Sequence, residues 1–181
     1  MKLWNSGGDV APDPFLRAER SGRYNDSVSF VIRDFKPDDF ESLWRIDQEC
    51  FPPGISYSRP ELKFYIRHRG SFTLVAANDS GEVGGFIVAQ NGPIGHVVTI
   101  DVIAVARRSG VGSLLLRSAE ARLRAAGSHS VGLETAVDNT AALSFYKRHG
   151  YSVIRTWPRY YSNGVDAPVL KKPLQEPQDE A

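Results

Sequence analysis

Three stretches of the chain bring together residue types that can do chemistry. The first is Arg107-Arg108-Ser109-Gly110-Val111-Gly112, which leaves an apolar strand-like segment and enters an amphipathic helical one. Glycines let a backbone approach an anion without Cβ obstruction, and the first-turn amides of a helix aim unsatisfied donors at it, with the helix dipole behind them. Arg107 and Arg108 add positive charge beside those donors. The pattern suits a phosphate; its plain alternative is a tight strand-to-helix turn. The second is Glu134, a lone carboxylate among Val131, Leu133, Ala136 and Val137. Its alternative is a surface glutamate paired with an arginine. The third is Asn139 with Tyr146, seven residues on, about two helical turns, so that both share one helix face and can border one groove. Asn139 also suits a helix N-cap, and Tyr146 a core aromatic whose hydroxyl finds a partner.

Other phosphate chemistries lose ground by pattern. A Walker A loop needs G-x-x-x-x-G-K-[ST] and a dinucleotide fingerprint needs G-x-G-x-x-G, and neither is present. The glycine unit also lies past mid-chain, after a hairpin signal, whereas a dinucleotide unit opens a run of parallel strands.

The elements that must position these residues can be read along the chain. Residues 1–26 carry Gly7-Gly8, Pro12, Pro14 and Gly22 without a 2.0 or 3.6 period, which predicts a loose arm. Val28 to Arg33 reads as a strand, and Pro37-Asp38-Asp39 starts a helix carrying Phe40, Leu43, Trp44 and Ile46 as far as Cys50. Pro52-Pro53-Gly54 breaks the chain before a short helix over Glu61 to His68. Ser71 to Ala77 and Glu82 to Gln90 form a hairpin around Asn78-Asp79-Ser80-Gly81. Gly95 to Val105 reads as one long buried strand, and Val111, Leu114, Leu115, Ala119, Leu123 and Ala126 as a helical stripe stopped by Gly127. Val131 to Val137, a helix from Thr140 to Gly150, and strands at Tyr151 to Thr156 and Ala167 to Lys171 complete the set, leaving a polar tail over 173–181.

Composition narrows the class. At 181 residues, 41% hydrophobic and 24% charged, the chain suits one ordinary globular domain, over 27–172. With 22 Lys+Arg against 21 Asp+Glu it is too balanced to bind nucleic acid or a membrane surface by bulk charge. The single cysteine, Cys50, cannot form an internal disulfide, and no Cys/His set has metal-ligand spacing; a reducing compartment and no metal are expected. No apolar run approaches the roughly 20 residues needed to span a bilayer, and Met1 to Gly8 lacks a secretory core, so a cytoplasmic location is expected.

Ile103-Ala104-Val105 followed by R-x-x-G-x-G at Arg107 to Gly112 resembles the acetyl-coenzyme-A motif of the GNAT N-acetyltransferases. The passage from Leu133 through Glu134, Asn139, Ala141-Ala142, Tyr146 and Gly150 to Tyr151 is similar to L-E-V-x-x-x-N-x-A-A-I-x-L-Y-x-x-x-G-F of the ribosomal-protein alanine N-acetyltransferase (RimI-like) branch. Tyr160-Tyr161-Ser162-Asn163-Gly164-Val165-Asp166-Ala167 resembles the Y-Y-x-x-G-x-D-A hairpin of protein N-terminal acetyltransferases. The resemblance covers about residues 28 to 172. It implies an α/β (α+β) fold, a mixed, mostly antiparallel sheet of six to seven strands flanked by helices and splayed at strand 4. It also implies transfer of an acetyl group from acetyl-CoA, as co-substrate, to a primary amine by direct attack in a ternary complex.

The resemblance assigns roles residue by residue. Glu134 is the proton acceptor and Tyr146 the proton donor to the departing thiolate. Ile103, Ala104 and Val105 form the splayed strand that binds the pantetheine arm, and Arg107, Arg108, Ser109, Gly110, Val111, Gly112, Ser113 and Asn139 hold the cofactor. A model α-amine has a pKa of about 7.7 to 8.0 and a lysine about 10.4, so a base matters more for a lysine acceptor. The preferred acceptor is a protein N-terminal α-amine. The alternatives are a small amine or amino acid as acceptor, and a non-catalytic acyl-CoA-binding module. A monomer or homodimer is expected, with no direct nucleic-acid or membrane partner. Only Ala106 separates Val105 from Arg107, a connection about three residues shorter than in the pattern it resembles, which puts the geometry of the loop in question. Phe51-Pro52 matches the first interhelical loop. His96 and Asp101 are candidates for handling the amine proton, with a structural role as the alternative. Trp157, Tyr160 and Tyr161 are candidates for one wall of the acceptor site, and Cys50 is expected to be a buried small hydrophobe.

Overall fold

Asn78 turns the chain back on itself: its Oδ1 accepts the Glu82 amide at 2.8 Å, and Gly81 takes φ 82° in the turn. The result is the central hairpin of β2 (Ser71–Asn78) and β3 (Val83–Gln90) in a computed structural model that describes residues 29–174. The arm expected over 1–26 and the tail beyond 174 lie outside the described residues. β1 (Phe30–Asp34), β4 (Ile94–Val102), β5 (Ser130–Glu134), β6 (Ser152–Trp157) and β7 (Ala167–Pro173) complete a seven-stranded sheet in the order β1-β2-β3-β4-β5-β7-β6. Every neighbouring pair is antiparallel except β4 with β5.

Helices cover both faces of the sheet centre, which is why β2 and β3 are buried at every residue but their ends. α1 (Phe40–Cys50) and α2 (Arg59–Arg67) pack Leu43, Ile46 and Leu62 against Val75, Phe86, Val88 and Val98 on one face. α3 (Val111–Ala125) and α4 (Thr140–Arg148) pack Leu115, Leu116, Ala119, Ala142 and Tyr146 against Leu74, Ile87, Val97 and Ile100 on the other. Local signals set the helix ends. Ser58 and Glu61 close a capping box that starts α2 at Arg59, two residues ahead of the expected Glu61. Gly127 at φ 90° ends α3.

One irregularity shapes the molecule. Val88 pairs with Thr99 but Ala89 with Val97, so Val98 is a surplus residue, a β-bulge. Side-chain parity reverses across it. Val97 before the bulge and Ile100 and Val102 after it all face α3 and α4, while Val98 faces α1 and α2. His96, Thr99 and Asp101 therefore share the α1/α2 face. The parallel pairing of β4 with β5 ends at His96 opposite Gly132, and β4 continues to Val102 paired with β3 alone. The sheet parts there.

The structure corrects three expected boundaries. β4 ends at Val102, and Ala104–Ala106 is a 3-10 turn, so Ile103, Ala104 and Val105 are not strand residues. The connection from the strand's end to Arg107 is thus Ile103 to Ala106 rather than Ala106 alone, so the loop is not short. β5 stops at Glu134 rather than Val137, because Thr135 and Val137 donate their amides to Pro168 and Asp166 in an irregular crossing. β7 runs through Pro173 rather than ending at Lys171, and Leu174 after it is buried in the core.

Candidate active site

Gly110 stands at φ 92° as the N-cap of α3 with no side-chain cap, leaving the amides of the first helical turn without intrahelical acceptors. Arg108 takes φ 62°, the left-handed region a non-glycine residue enters at a cost, so the Arg107–Gly110 turn is held under strain. A cavity of about 600 Å3 opens over this helix end. Its wall is Ile100 and Val102 from β4, Arg107, Arg108, Gly110, Gly112 and Ser113 from the turn, and Asn139, Ala141, Ala142, Phe145 and Arg148 from α4. A Cβ at Gly110 would meet nothing within 4 Å, so the backbone there fronts open space. Open helix amides with Arg108 and Arg148 fit the pyrophosphate of coenzyme A; the apolar wall of Ile100, Val102 and Phe145 fits its pantetheine arm.

Several expected cofactor residues are thereby brought together, and others are not. Arg107, Arg108, Gly110, Gly112, Ser113 and Asn139 border the cavity. Asn139 also caps α4, its side chain accepting the Ala142 amide at 3.0 Å. Val111 is buried beneath the turn, and the Ser109 hydroxyl donates to the Ala106 carbonyl at 2.7 Å. Ile103, Ala104 and Val105 border a separate hollow of about 440 Å3 beside Arg45 and Glu49 of α1, and Val105 is 89% exposed. The β4 residues that border the cavity are Ile100 and Val102. Arg148, Ala141 and Phe145 were not foreseen, although positions 141, 145 and 148 follow a helical i, i+4, i+7 stripe from Asn139's helix.

Tyr146 does not border the cavity. It is 0% exposed, packed edge-on against Phe145 and Tyr151 with centroids 5.1 and 5.4 Å away. The shared face predicted for Asn139 and Tyr146 belongs instead to Asn139, Ala142 and Phe145. Burial, with Tyr151, Asp101 and Tyr161 close by, holds the Tyr146 phenol well above its ordinary pKa and hence protonated.

On the opposite face of the parted sheet stands Glu134, whose Oε2 meets His96 Nε2 at 2.8 Å. Burial pushes its carboxyl pKa up, but the hydrogen bond and charge of His96, together with Arg155, outweigh that and leave it below the usual carboxylate value. Its partner is therefore a histidine rather than the arginine considered from sequence. Around it lie Tyr160 and Tyr161, both held above the ordinary phenol pKa, first by burial and then by neighbouring charges that include Glu134. Tyr57 is raised by burial and by Tyr65, Asp101, Asp47 and Tyr160, which places these groups near one another. Asp47, wholly buried on α1, accepts the Tyr57 amide at 2.7 Å. Ser162 Oγ donates to the Gly54 carbonyl at 3.0 Å and ties the β6–β7 loop to the α1–α2 loop. Asp101 accepts from Thr99 Oγ1 at 2.7 Å. Tyr57 and Asp47 were missed, although a carboxylate inside the apolar stripe Leu43, Ile46, Cys50 was a readable signal. Cys50 is buried and its thiol is pushed up to about 12, chiefly by burial, so it is no nucleophile. Among the described residues no group of three or more His, Cys, Asp or Glu could hold a metal, and no helix is long and apolar enough to cross a membrane.

Comparison with known proteins agrees with this geometry. The acetyltransferase (GNAT) family profile matches residues 40–151. An N-alpha-acetyltransferase of Sulfurisphaera tokodaii is 28% identical over 176 residues, covering 88% of this chain and 99% of that protein. The crystal structure of Ard1 from Thermoplasma volcanium superposes with a TM-score of 0.75 at 30% identity, covering 82% of this chain and all of that one (100%). The ribosomal-protein-S18-alanine N-acetyltransferase from Escherichia coli shares the fold, with a TM-score of 0.73 at 19% identity over 84% of this chain and 98% of that one. The chain belongs to the acetyltransferase (GNAT) family and is an N-acetyltransferase with acetyl-CoA as its co-substrate.

Proposed function

We propose that the acceptor is the α-amine at a protein N-terminus, acetylated by direct attack with both substrates bound. The observation that carries this reading is the parted sheet. An anion cradle lies on the α3/α4 side of the gap between β4 and β5, and a tyrosine-lined carboxylate, Glu134, lies on the α1/α2 side. The relative from Sulfurisphaera tokodaii bears the name N-alpha-acetyltransferase, which supports a terminal amine as acceptor.

Each residue then has one task. The first-turn amides of α3, Arg108 and Arg148 hold the pyrophosphate, and Asn139 borders the arm. Acetyl-CoA supplies an activated acyl carbon. Glu134 draws the proton away from the acceptor nitrogen. Tyr146, kept protonated by its burial, returns a proton to the sulfur. Tyr57 and Tyr160 flank the incoming chain with flat, amphipathic surfaces. Steady-state assays with a panel of N-terminal peptides and a panel of small amines test the reading. Turnover of peptides with kcat/KM well above that of any small amine is expected, and turnover confined to small amines would overturn it.

A further inference from the structure

Apolar side chains gather on the α1/α2 face where β4 ends. Val105 is 89% exposed, and with Ala104, Ile103, Val83 and Ile46 it borders the hollow of about 440 Å3 beside α1. A lone exposed valine is ordinary, but a contiguous apolar surface around one concavity marks an interaction site. The rim is charged. Glu49 of α1 and Glu82 of the β2–β3 turn are both exposed, and Arg45 lies beside them. The Glu82 carboxylate accepts from the Asn78 side-chain amide at 2.8 Å, and neither glutamate has an ion pair among the described residues.

The place where the chain enters the fold points to what covers this hollow. The described residues begin at Ser29, and Phe30 opens β1 opposite Asn78, at the same end of the sheet as Glu82 and Val83. The Phe30 ring lies over Gly84, where an added Cβ would meet it at 2.3 Å, and Gly84 directly follows Val83 of the hollow. Only β2 separates β1 from β3, so the chain enters two strand spacings, roughly 10 Å, from the hollow. Ahead of that entry, Phe15-Leu16 is an adjacent apolar pair, and Arg17, Arg20 and Arg23 follow it with Glu19 as the one acid before Tyr24. Leu16 stands thirteen residues before Ser29, a reach of up to about 40 Å. The pair suits the apolar floor, the arginines suit the two carboxylates of the rim, and Glu19 suits Arg45.

We infer that the N-terminal segment of this chain docks in this hollow, with Phe15 and Leu16 against Val105 and Ile103 and the following arginines beside Glu49 and Glu82. The docked segment braces the 3-10 turn. Two hydrogen bonds close that turn, from the Ala106 and Arg107 amides to the Ile103 and Ala104 carbonyls at 3.0 and 3.2 Å. It runs directly into Arg107 and Arg108 of the cofactor cavity, while its outer side, Val105, is left uncovered by the described residues. This role holds whichever amine is the acceptor.

The test uses the full chain. Trypsin should cut after Arg17 and Arg20 about tenfold more slowly in the wild type than in Val105→Asn or Glu49→Arg, substitutions at exposed positions that leave the core intact. Hydrogen exchange at the Ala106 and Arg107 amides should be faster in these variants, and equally so in a chain carrying both Phe15→Ala and Leu16→Ala. Combining the arm and hollow substitutions should add nothing further, because both break one contact. Arg20→Glu should return the Glu49→Arg protein toward wild-type exchange. Equal cleavage in all proteins, or additive effects of the arm and hollow substitutions, would overturn the assignment. Protection of the turn that grows with protein concentration, with a dimer by light scattering, would overturn it in favour of a second copy of the chain.

Discussion

Arg107 commits its guanidinium to Val102: Nε donates to the Val102 carbonyl at 2.9 Å while Nη2 reaches the sulfur of Cys50 at 3.6 Å. Cys50, the last residue of α1, in turn donates its S–H to the same carbonyl at 3.4 Å. The end of β4, the end of α1 and the start of the glycine turn are thereby pinned at one point. Arg107→Ala should lower stability by about 1–2 kcal/mol in urea unfolding, because a carbonyl at a strand end loses a charged donor. Arg108→Ala should leave the unfolding midpoint unchanged and weaken acetyl-CoA binding about tenfold, about 1.4 kcal/mol, by calorimetry. Equal effects of the two substitutions on both readouts would refute this division of labour.

Gly110→Val adds a β-branched side chain at φ 92°. The added Cβ meets no neighbour, so the cost is conformational, about 1–2 kcal/mol, and it falls on the turn that presents the helix amides. Calorimetry should show acetyl-CoA affinity reduced by more than tenfold while the far-UV circular dichroism of the folded protein stays at wild type.

Tyr146→Phe keeps the packing of a fully buried ring and removes only its hydroxyl. Turnover should fall at least tenfold with acetyl-CoA affinity within twofold of wild type. Full activity in this variant would exclude the proton-donor role. Tyr146→Ala, by contrast, opens a core cavity and should destabilise by about 3–5 kcal/mol.

Glu120 of α3 accepts from the Tyr151 hydroxyl at 3.0 Å and from Lys172 Nζ at 2.7 Å, and it is nearly inaccessible. It anchors β7 to the helix layer. Glu120→Ala leaves a phenol and a largely covered ammonium without their acceptor, and should cost about 2–4 kcal/mol in urea unfolding. Glu120→Gln should cost less, since it retains an acceptor for Tyr151.

Asp39 receives two hydrogen bonds from Arg33, at 2.7 and 2.8 Å, and one from the Lys36 amide at 2.7 Å. The Arg33 bond, opposed by burial and aided by the Lys36 amide, lowers the Asp39 pKa. A depressed folded-state value means that its stabilisation is fully present above the unfolded value of about 3.9 and is lost as pH falls through the folded one. Arg33→Gln should flatten the loss of stability below about pH 4, measured by urea midpoints across pH.

Most of the frame was legible because it rests on local signals: the Asn78–Gly81 turn, the Ser58/Glu61 box, Gly127, and the Asn139 cap were all spelled out in residue types. Glu134 and the arginine–glycine turn were legible through their flanking sequence. What was not legible depended on one register shift. Val97, Val98, Ile100, Val102, Ile103 and Val105 form an unbroken apolar run, and nothing in it marks where pairing ends or where an extra residue is accommodated. The run therefore reads as strand as far as Val105, whereas β4 ends at Val102. The meeting of His96 with Glu134 is a contact between residues 38 positions apart, set by strand order rather than by any local pattern.

The surplus residue at Val98 makes the length of β4 count in steps. His96 and Asp101 are an odd number of positions apart and share a face only because Val98 is accommodated as a bulge, so an extra residue placed elsewhere between them, with that bulge kept, would send one of the two to the far layer, whereas deleting Val98 itself would leave both where they are. Length variation in this segment is thus tolerated at Val98 and not beside it, and an insertion at any other point between His96 and Asp101 should lower turnover even where the fold survives.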